Sequence, residues 1–216
     1  MMETLIIGAG GHGKVVLDIL RAGGKFRVVG FIDADPKLLG TQVSGVPVLG
    51  AIHQLAKLKT QHRIKAAIIA IGDNRARSSY TWNLEEQGLE IINAIHPAAS
   101  VSATAELGRN VVIAAKAVVC TEARVADLAI INTGAIVDHE CEVGTAAHIC
   151  PAAVLAGRVR VGERAFIGMG ANILQCRSVG IEATIGAGAV VLNDIPAGAT
   201  AVGVPARIIK STPIAA

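Results

Sequence analysis

From Ile95 onward the chain sets an aliphatic residue at every sixth position, through Val101, Leu107, Ile113, Val119, Val125, Ile131, Val137, Val143, Ile149, Leu155, Val161, Ile167, Ile173, Val179 and Ile185 to Val191. Isoleucine, valine and leucine make up 63 of the 216 residues, so seventeen hits in one register have a chance probability on the order of 10⁻⁹. Four residues after most of these aliphatics stands a small side chain, as at Ala117, Ala135, Cys141, Ala153 and Ala171, which marks a second, cramped inward position. Glycine follows the aliphatic in Leu107-Gly108, Val143-Gly144, Val161-Gly162, Ile167-Gly168, Val179-Gly180 and Ile185-Gly186, where the expected corner at positive φ costs glycine little. Six residues extend to about 20 Å, too short for a helix and a strand, so the hexads predict short strands joined by tight corners. Coils of such strands stack and bury the aliphatic ladder.

Residues 1–94 follow another pattern. Leu5-Ile6-Ile7 reads as a strand, Gly8-Ala9-Gly10-Gly11-His12-Gly13 as a glycine loop, and Lys14 to Ala22 as a helix. A second strand, Arg27 to Ile32, ends at Asp33, an acid 20 residues past the last glycine of the loop. Bare N–H groups at a helix amino terminus suit phosphate, and taken alone the spacing suggests NAD. Ala66 to Ile71 predicts a third strand leading into Gly72-Asp73, Asn74 to Gln87 a helix carrying Tyr80 and Trp82, and Leu89 to Ala94 a strand entering the repeat. With Val46 to Leu49, that makes a βαβ sheet of about five short strands. A dinucleotide fold needs two such halves, so the loop points to a nucleotide held by one half, with tight packing as the bland alternative.

Composition narrows the function. Net charge is +3 and the chain has five aromatics (one Trp, one Tyr, three Phe), which argues against a nucleic-acid partner. No stretch approaches the roughly 18 apolar residues of a membrane span. The amino terminus Met1-Met2-Glu3-Thr4 shows no basic signal region, so a cytoplasmic location is expected. Cys120, Cys141, Cys150 and Cys176 form no C-x-x-C pair and read as small reduced residues. Of the histidines, His53 and His62 read as surface residues, His96 as a junction residue, and His12 as a ligand contact or a brace of its loop. His139 lies between Asp138 and Glu140, outside the inward positions. An imidazole flanked by carboxylates suits proton transfer at neutral pH, and a solvated surface histidine is the alternative. Neighbouring strand residues face opposite ways, so Glu140 reaches His139 only where the chain bends; otherwise the partner comes from another coil.

The hexads from 95 to about 192 resemble the hexapeptide-repeat acyltransferases, whose units build a left-handed parallel β-helix with three hexads per coil. The resemblance extends to the whole chain for one subgroup, the bacterial sialic-acid O-acyltransferase-like family, which includes N-acetyltransferases of nucleotide-linked amino sugars. It rests on Gly8-Ala9-Gly10-Gly11-His12-Gly13, Ala70-Ile71-Gly72-Asp73-Asn74, Asp138-His139-Glu140-Cys141 and Val202-Gly203-Val204-Pro205-Ala206-Arg207. It implies a Rossmann-like α/β domain over 1–94 that binds the nucleotide-sugar acceptor through Gly10, Gly11, His12, Asp33 and Gly72. A β-helix over 95–216, with a short carboxy-terminal tail, then carries the chemistry. Relatives with paired acids at Asp33 differ from this chain, where Ala34 follows.

By the same resemblance the protein is a homotrimer that binds acetyl-CoA in grooves between prisms. His139 is the general base, tuned by Glu140 or Asp138, and His148 contacts the acetyl or pantetheine end of the donor. Gly157, 18 residues after His139 and so one coil above it, offers a backbone N–H to the oxyanion, while Met169 and Ala187 line the coenzyme A groove. Arg207 and Lys210 face its phosphates or plain solvent. His148 meets His139 only across a corner or a subunit interface. Zinc, which three histidines bind on γ-class carbonic anhydrase helices, is not expected, because the repeat proper carries only His139 and His148. An O-acetyltransferase of a sugar hydroxyl and a non-catalytic nucleotide-sugar-binding regulator are the rival functions.

Overall fold

The computed structural model describes residues 1–212, apart from the side chains of Trp82 and Asn83. The chain divides into two compact units, Met1–Pro97 and Ala98–Ala216.

In the first unit, β1 (Met2–Ile7), α1 (Gly11–Gly23), β2 (Phe26–Ile32), β3 (Gln42–Val43), β4 (Val46–Gly50), α2 (Leu55–His62) and β5 (Ala66–Ile69) are followed by α3 (Asn74–Ser79), α4 (Thr81–Glu86) and β6 (Glu90–Ile91). The sheet order is β3-β4-β2-β1-β5-β6, parallel throughout except for the β3–β4 pair. It has six strands where the sequence predicts about five, because the short β3 hairpins back onto β4 through Ser44 and Gly45, both at positive φ. The single helix expected over 74–87 is two helices that meet at Tyr80. Leu5, Ile6, Ile68 and Ile69 of the central strands are buried with Val16 and Leu20 of α1. Strand order reverses at β1, with β2 and β4 on one side and β5 and β6 on the other. In such sheets the loops leaving the carboxyl ends of the strands part there and open a crevice.

Two glycines of the loop are required by packing. A Cβ at Gly13 would lie 2.1 Å from the Gly8 carbonyl oxygen, and one at Gly8, whose φ is +104°, 2.7 Å from that of Ala70. Gly10 and Gly11 meet nothing within 4 Å, so their missing side chains leave open space.

The second unit is a parallel β-helix of two-residue strands. Each strand pairs with those 18 residues before and after it, as Val119 does with Val101 and Val137, so three hexads make a coil with three faces. The first face runs through Val112–Ile113, Ile130–Ile131, His148–Ile149, Phe166–Ile167 and Thr184–Ile185; the second through Ser100–Val101, Val118–Val119, Ile136–Val137, Val154–Leu155, Asn172–Ile173 and Val190–Val191. The third runs through Glu106–Leu107, Arg124–Val125, Glu142–Val143, Arg160–Val161 and Ser178–Val179. Both inward positions of the hexad form the core, Val137, Leu155 and Ile173 stacking beside Ala135, Ala153 and Ala171.

The corners differ from expectation. The residue at positive φ is the third after each aliphatic, at every sixth position from Asn110 to Gly188, and it is glycine only at 134, 170 and 188. A left-handed residue costs roughly 1–2 kcal/mol, which burial of one aliphatic, about 1.5–3 kcal/mol, offsets. The N–H of this residue is also satisfied: Glu140 donates to the Thr121 carbonyl and Arg158 to that of His139, both at 3.0 Å. The glycine directly after the aliphatic serves close approach instead. A Cβ at Gly144 would lie 2.7 Å from the Glu163 nitrogen, and one at Gly162 2.5 Å from the Ile181 nitrogen.

Two hydrophobic residues also depart from the simple ladder. Ile95, the first member of the register, is exposed and falls in the first unit, whereas Ile130, an outward residue, is fully buried. Outward residues of the second face are largely apolar (Val118, Ile136, Val154, Val190), and those of the third alternate in charge. Arg124 pairs with Glu106 at 3.3 Å and Arg160 with Glu142 at 3.7 Å. After the last coil Ala199–Val202 joins the first face, and Arg207–Ser211 pairs antiparallel with it as an exposed edge carrying Arg207 and Lys210.

Candidate active site

A cavity of about 410 Å³ opens at the strand-order reversal of the first unit. Gly10, Gly11, His12, Asp33 and Gly72, the residues expected to bind acceptor, all line it, together with Tyr80. No side chain caps α1 at its amino terminus, and its first turn carries no acid, so the positive end of the helix dipole is left uncompensated there. Asp33 braces the loops: Oδ2 accepts from the Ala9 N–H at 2.7 Å and Oδ1 from the Asp35 N–H at 2.9 Å. Burial, with the nearby charge of Arg77, pushes the His12 imidazole down to about 4, so it is neutral at pH 7.

Beneath the Gly72 loop lies a residue that the sequence reading passed over. Arg77 is fully buried. Its Nη1 donates to the carbonyls of Ile71 at 2.8 Å and Gly72 at 3.2 Å, and its Nη2 to Asn74 Oδ1 at 2.8 Å. Asp73 caps α3 by accepting from the Ala76 N–H at 2.8 Å. The surrounding pattern Asp73-Asn74-x-x-Arg77 is polar and resembles a solvated helix start, so only the fold reveals the burial.

In the second unit, Asp138-His139-Glu140 forms the corner between the second and third faces. Glu140 has φ +57°, and that bend turns its carboxylate back on its neighbour: His139 Nδ1 lies 2.9 Å from Glu140 Oε2. Asp138 instead accepts from the His139 backbone N–H at 2.7 Å, so the two acids divide the work between imidazole and main chain. Arg158, one coil above, donates from Nε to the same Glu140 Oε2 at 3.0 Å. Hydrogen bonds from His139 and Arg158 hold the Glu140 carboxyl below the usual carboxylate range, which keeps it an acceptor for the imidazole.

Gly157 occupies the equivalent corner one coil above. A Cβ there would lie 2.3 Å from His139 Nε2 and 2.5 Å from Cε1, so the imidazole lies directly against the glycine. Among the described residues the Gly157 N–H has no hydrogen-bond partner, while its carbonyl accepts from the Cys176 N–H.

His148 sits on the first face, opposite the His139 corner, so one chain does not bring the two histidines together. It is buried, with Nε2 at 3.0 Å from Asn132 Nδ2 and its ring edge-on to Phe166 at a centroid distance of 5.4 Å. Met169 and Ala187 are stacked at the corner between the first and second faces, where the Gly188 N–H donates to the Met169 carbonyl at 2.8 Å. Both are exposed. The apolar second face is thus bordered by His139 and Gly157 on one edge and by Met169 and Ala187 on the other.

The family model described as the PglD N-terminal domain matches residues 3–84. PerB of Caulobacter crescentus, solved with CoA and GDP-perosamine, is 43% identical over 97% of this chain and 98% of that one, with a TM-score of 0.91. Perosamine N-acetyltransferase of the same organism with one histidine replaced by asparagine or by alanine superposes with a TM-score of 0.92. The acetyltransferase domain of PglB from Neisseria gonorrhoeae is 39% identical over 97% of this chain and 100% of that one, with a TM-score of 0.89. UDP-N-acetylbacillosamine N-acetyltransferase of Bacillus subtilis is 35% identical over 118 residues, a match spanning 52% of that curated relative and 53% of this chain. With similarity running through both units, the chain belongs to the nucleotide-sugar N-acetyltransferases that join a PglD N-terminal domain to a left-handed β-helix.

Proposed function

We propose that this chain transfers the acetyl group of acetyl-CoA to the amine of a nucleotide-linked amino sugar, with His139 as general base. The observation that carries this reading is the His139 imidazole held by Glu140 at Nδ1, with its Nε2 edge against Gly157. The amine nitrogen attacks the thioester carbonyl carbon; the C–N bond forms and the C–S bond then breaks. His139 Nε2 takes the amine proton and returns it to the departing thiolate, and Glu140 stabilises the imidazolium formed between these steps. The Gly157 N–H donates to the oxyanion, an effect of about 3–4 kcal/mol where such donors have been removed. Transfer is direct. Burial pushes the Cys141 thiol up to about 11 and Cys150 up to about 12, so neither offers a thiolate for an acyl-enzyme route.

The acceptor's nucleotide is assigned to the cavity at Gly10, Gly11, His12 and Gly72, with Asp33 fixing the loop. The names of the relatives carry both GDP- and UDP-linked sugars. His148, Met169 and Ala187 are assigned to the donor. Their separation from His139 by the apolar second face supports a homotrimer, in which a neighbour's donor-binding edge faces the His139 corner. A cytoplasmic location suits an enzyme that consumes acetyl-CoA, and no described helix is long and apolar enough to cross a membrane.

Thiol release from acetyl-CoA tests the reading with GDP-, UDP-, dTDP- and CMP-linked amino sugars and their hydroxyl counterparts. Release with one nucleotide-linked amine and not with its hydroxyl counterpart is expected. Equal release with the hydroxyl sugar gives the O-acetyltransferase instead, and none with any acceptor leaves a binding protein. Sedimentation at micromolar concentration is expected to give a trimer that Ile136→Glu weakens; a monomeric wild type refutes the shared groove.

A further inference from the structure

Among the described residues, Arg77 is the only lysine, arginine, aspartate or glutamate that is buried. Taking a guanidinium out of water is costly. Its hydrogen bonds to Ile71, Gly72 and Asn74 recover part of that cost, yet neutral donors would clamp the same carbonyls. What a neutral side chain would not supply is charge. Burial lowers the Arg77 guanidinium to about 10, so it still carries its proton at neutral pH.

That charge lies behind the cavity, since the Ile71 and Gly72 carbonyls that Arg77 clamps belong to residues of the cavity wall. Its field acts on His12, which lines the cavity at the amino terminus of α1, and is one of two causes of that imidazole's depressed value. Asp73, on the same loop, offsets it in part. The cavity wall itself contains no lysine or arginine among the described residues, and its pocket-facing histidine is neutral. A pocket for a doubly or triply charged diphosphate therefore has helix-end N–H groups on its surface, the Asp33 carboxylate already bonded to the Ala9 and Asp35 N–H groups, and the Arg77 guanidinium behind the Ile71–Gly72 loop.

We infer that Arg77 is the counter-charge for the nucleotide's phosphates, acting from beneath the Ile71–Gly72 loop that it clamps and without touching the ligand. This rests on the assignment of the cavity to the nucleotide. A charge held in the protein interior is little screened by solvent ions, so it favours anions over neutral ligands at any ionic strength. Arg77 is a positioning residue with an electrostatic output, and its signature is selectivity between charged and uncharged forms of one nucleotide.

Calorimetric titration of the full chain with GDP, UDP, guanosine and uridine tests it. Arg77→Gln keeps amide donors toward the loop and removes the charge; Arg77→Lys keeps the charge and loses the planar fork. Arg77→Gln is expected to weaken diphosphate binding on the order of tenfold, the effect of one charge at an effective dielectric near 20, while nucleoside binding changes less than about threefold. Arg77→Lys is expected to regain most of the diphosphate preference. Equal loss for diphosphate and nucleoside makes Arg77 a brace only and overturns the inference, as does no change in either. Should Arg77→Gln fail to fold, the wild type decides: its preference for diphosphate is expected to survive an increase from about 0.01 M to 0.5 M salt within about threefold, and a loss of tenfold or more refutes a buried counter-charge. A wild type that binds neither GDP nor UDP refutes the cavity assignment itself, and Arg77 falls with it; intact binding with unchanged selectivity in the variant refutes Arg77 alone.

Discussion

Replacing Gly157 with alanine separates the position of the His139 ring from every other part of the proposed mechanism. The backbone of Gly157 is outside the left-handed region and alanine retains the N–H, so neither fold nor oxyanion donor is removed. The new methyl carbon, however, would stand 2.3 Å from Nε2, whereas ordinary contact begins at 3.4 Å. The imidazole, which is half exposed, must retreat by about 1 Å or rotate, and either movement strains its 2.9 Å hydrogen bond to Glu140. A misplacement of about 1 Å at a reacting group costs on the order of 10² in rate. Stability should stay level or rise by about 0.4–1 kcal/mol, as for glycine-to-alanine changes at compatible backbone positions. The assay is steady-state thiol release with acetyl-CoA and the cognate nucleotide sugar, alongside thermal melts and nucleotide titration. The expected result is a roughly hundredfold lower kcat with unchanged nucleotide affinity and a Tm that is level or higher. A kcat within about threefold of wild type, with the protein folded, would refute the placement of His139 Nε2 at the reacting proton.

His139→Ala should lower kcat by about 10² to 10⁴, and Glu140→Ala by less, because the glutamate acts through the imidazole; a reversed order in the same assay moves the base elsewhere. His12, neutral in the fold down to about pH 4 against a usual value of 6.5, makes stability fall as pH drops through that window, because the unfolded chain takes up a proton that the folded one refuses. Its contribution is complete above about pH 6.5 and declines by on the order of 3 kcal/mol by pH 4. Urea melts of His12→Asn should show a flatter pH profile, and an identical profile refutes the burial argument. Ala153→Leu, at a fully buried site stacked between Ala135 and Ala171, should cost about 1–3 kcal/mol by overpacking, seen as a lower Tm; an unchanged Tm denies the cramped second inward position.

The division into a nucleotide-type α/β unit and a coil of hexads was legible in the chain because both rest on period. Aliphatics recurring every six residues all turn inward once the corners repeat, those 18 apart stack from coil to coil, and a glycine loop between an apolar strand and a helix is a local signal. His139 stood out for a similar reason, being flanked by acids outside the inward positions. The partnership of that histidine was not legible. Strand alternation argued against Glu140, and only the positive φ at that residue, one of a series recurring at every sixth position, turns its carboxylate onto Nδ1 while Asp138 takes the backbone.

What the sequence by itself determined, then, is everything that follows from repetition and adjacency: the two grammars, the coil's core, the glycine loop and the motif at its corner. Which glycines relieve φ and which admit a neighbouring backbone was decided by the stacking of coils, for Gly144 and Gly162 meet main-chain nitrogen from the next coil at 2.7 and 2.5 Å. The ladder's first member, Ile95, lies outside the helix core, and the outward Ile130 is wholly covered, because burial depends on what packs against a face and not on its period. Asp33 shows the same limit: its spacing puts it beside the glycine loop, and only the fold shows that its two oxygens also accept the Ala9 and Asp35 N–H groups. Arg77, polar in sequence and buried in the fold, is the clearest instance, since desolvation belongs to the surroundings of a residue and is written nowhere in its neighbours along the chain.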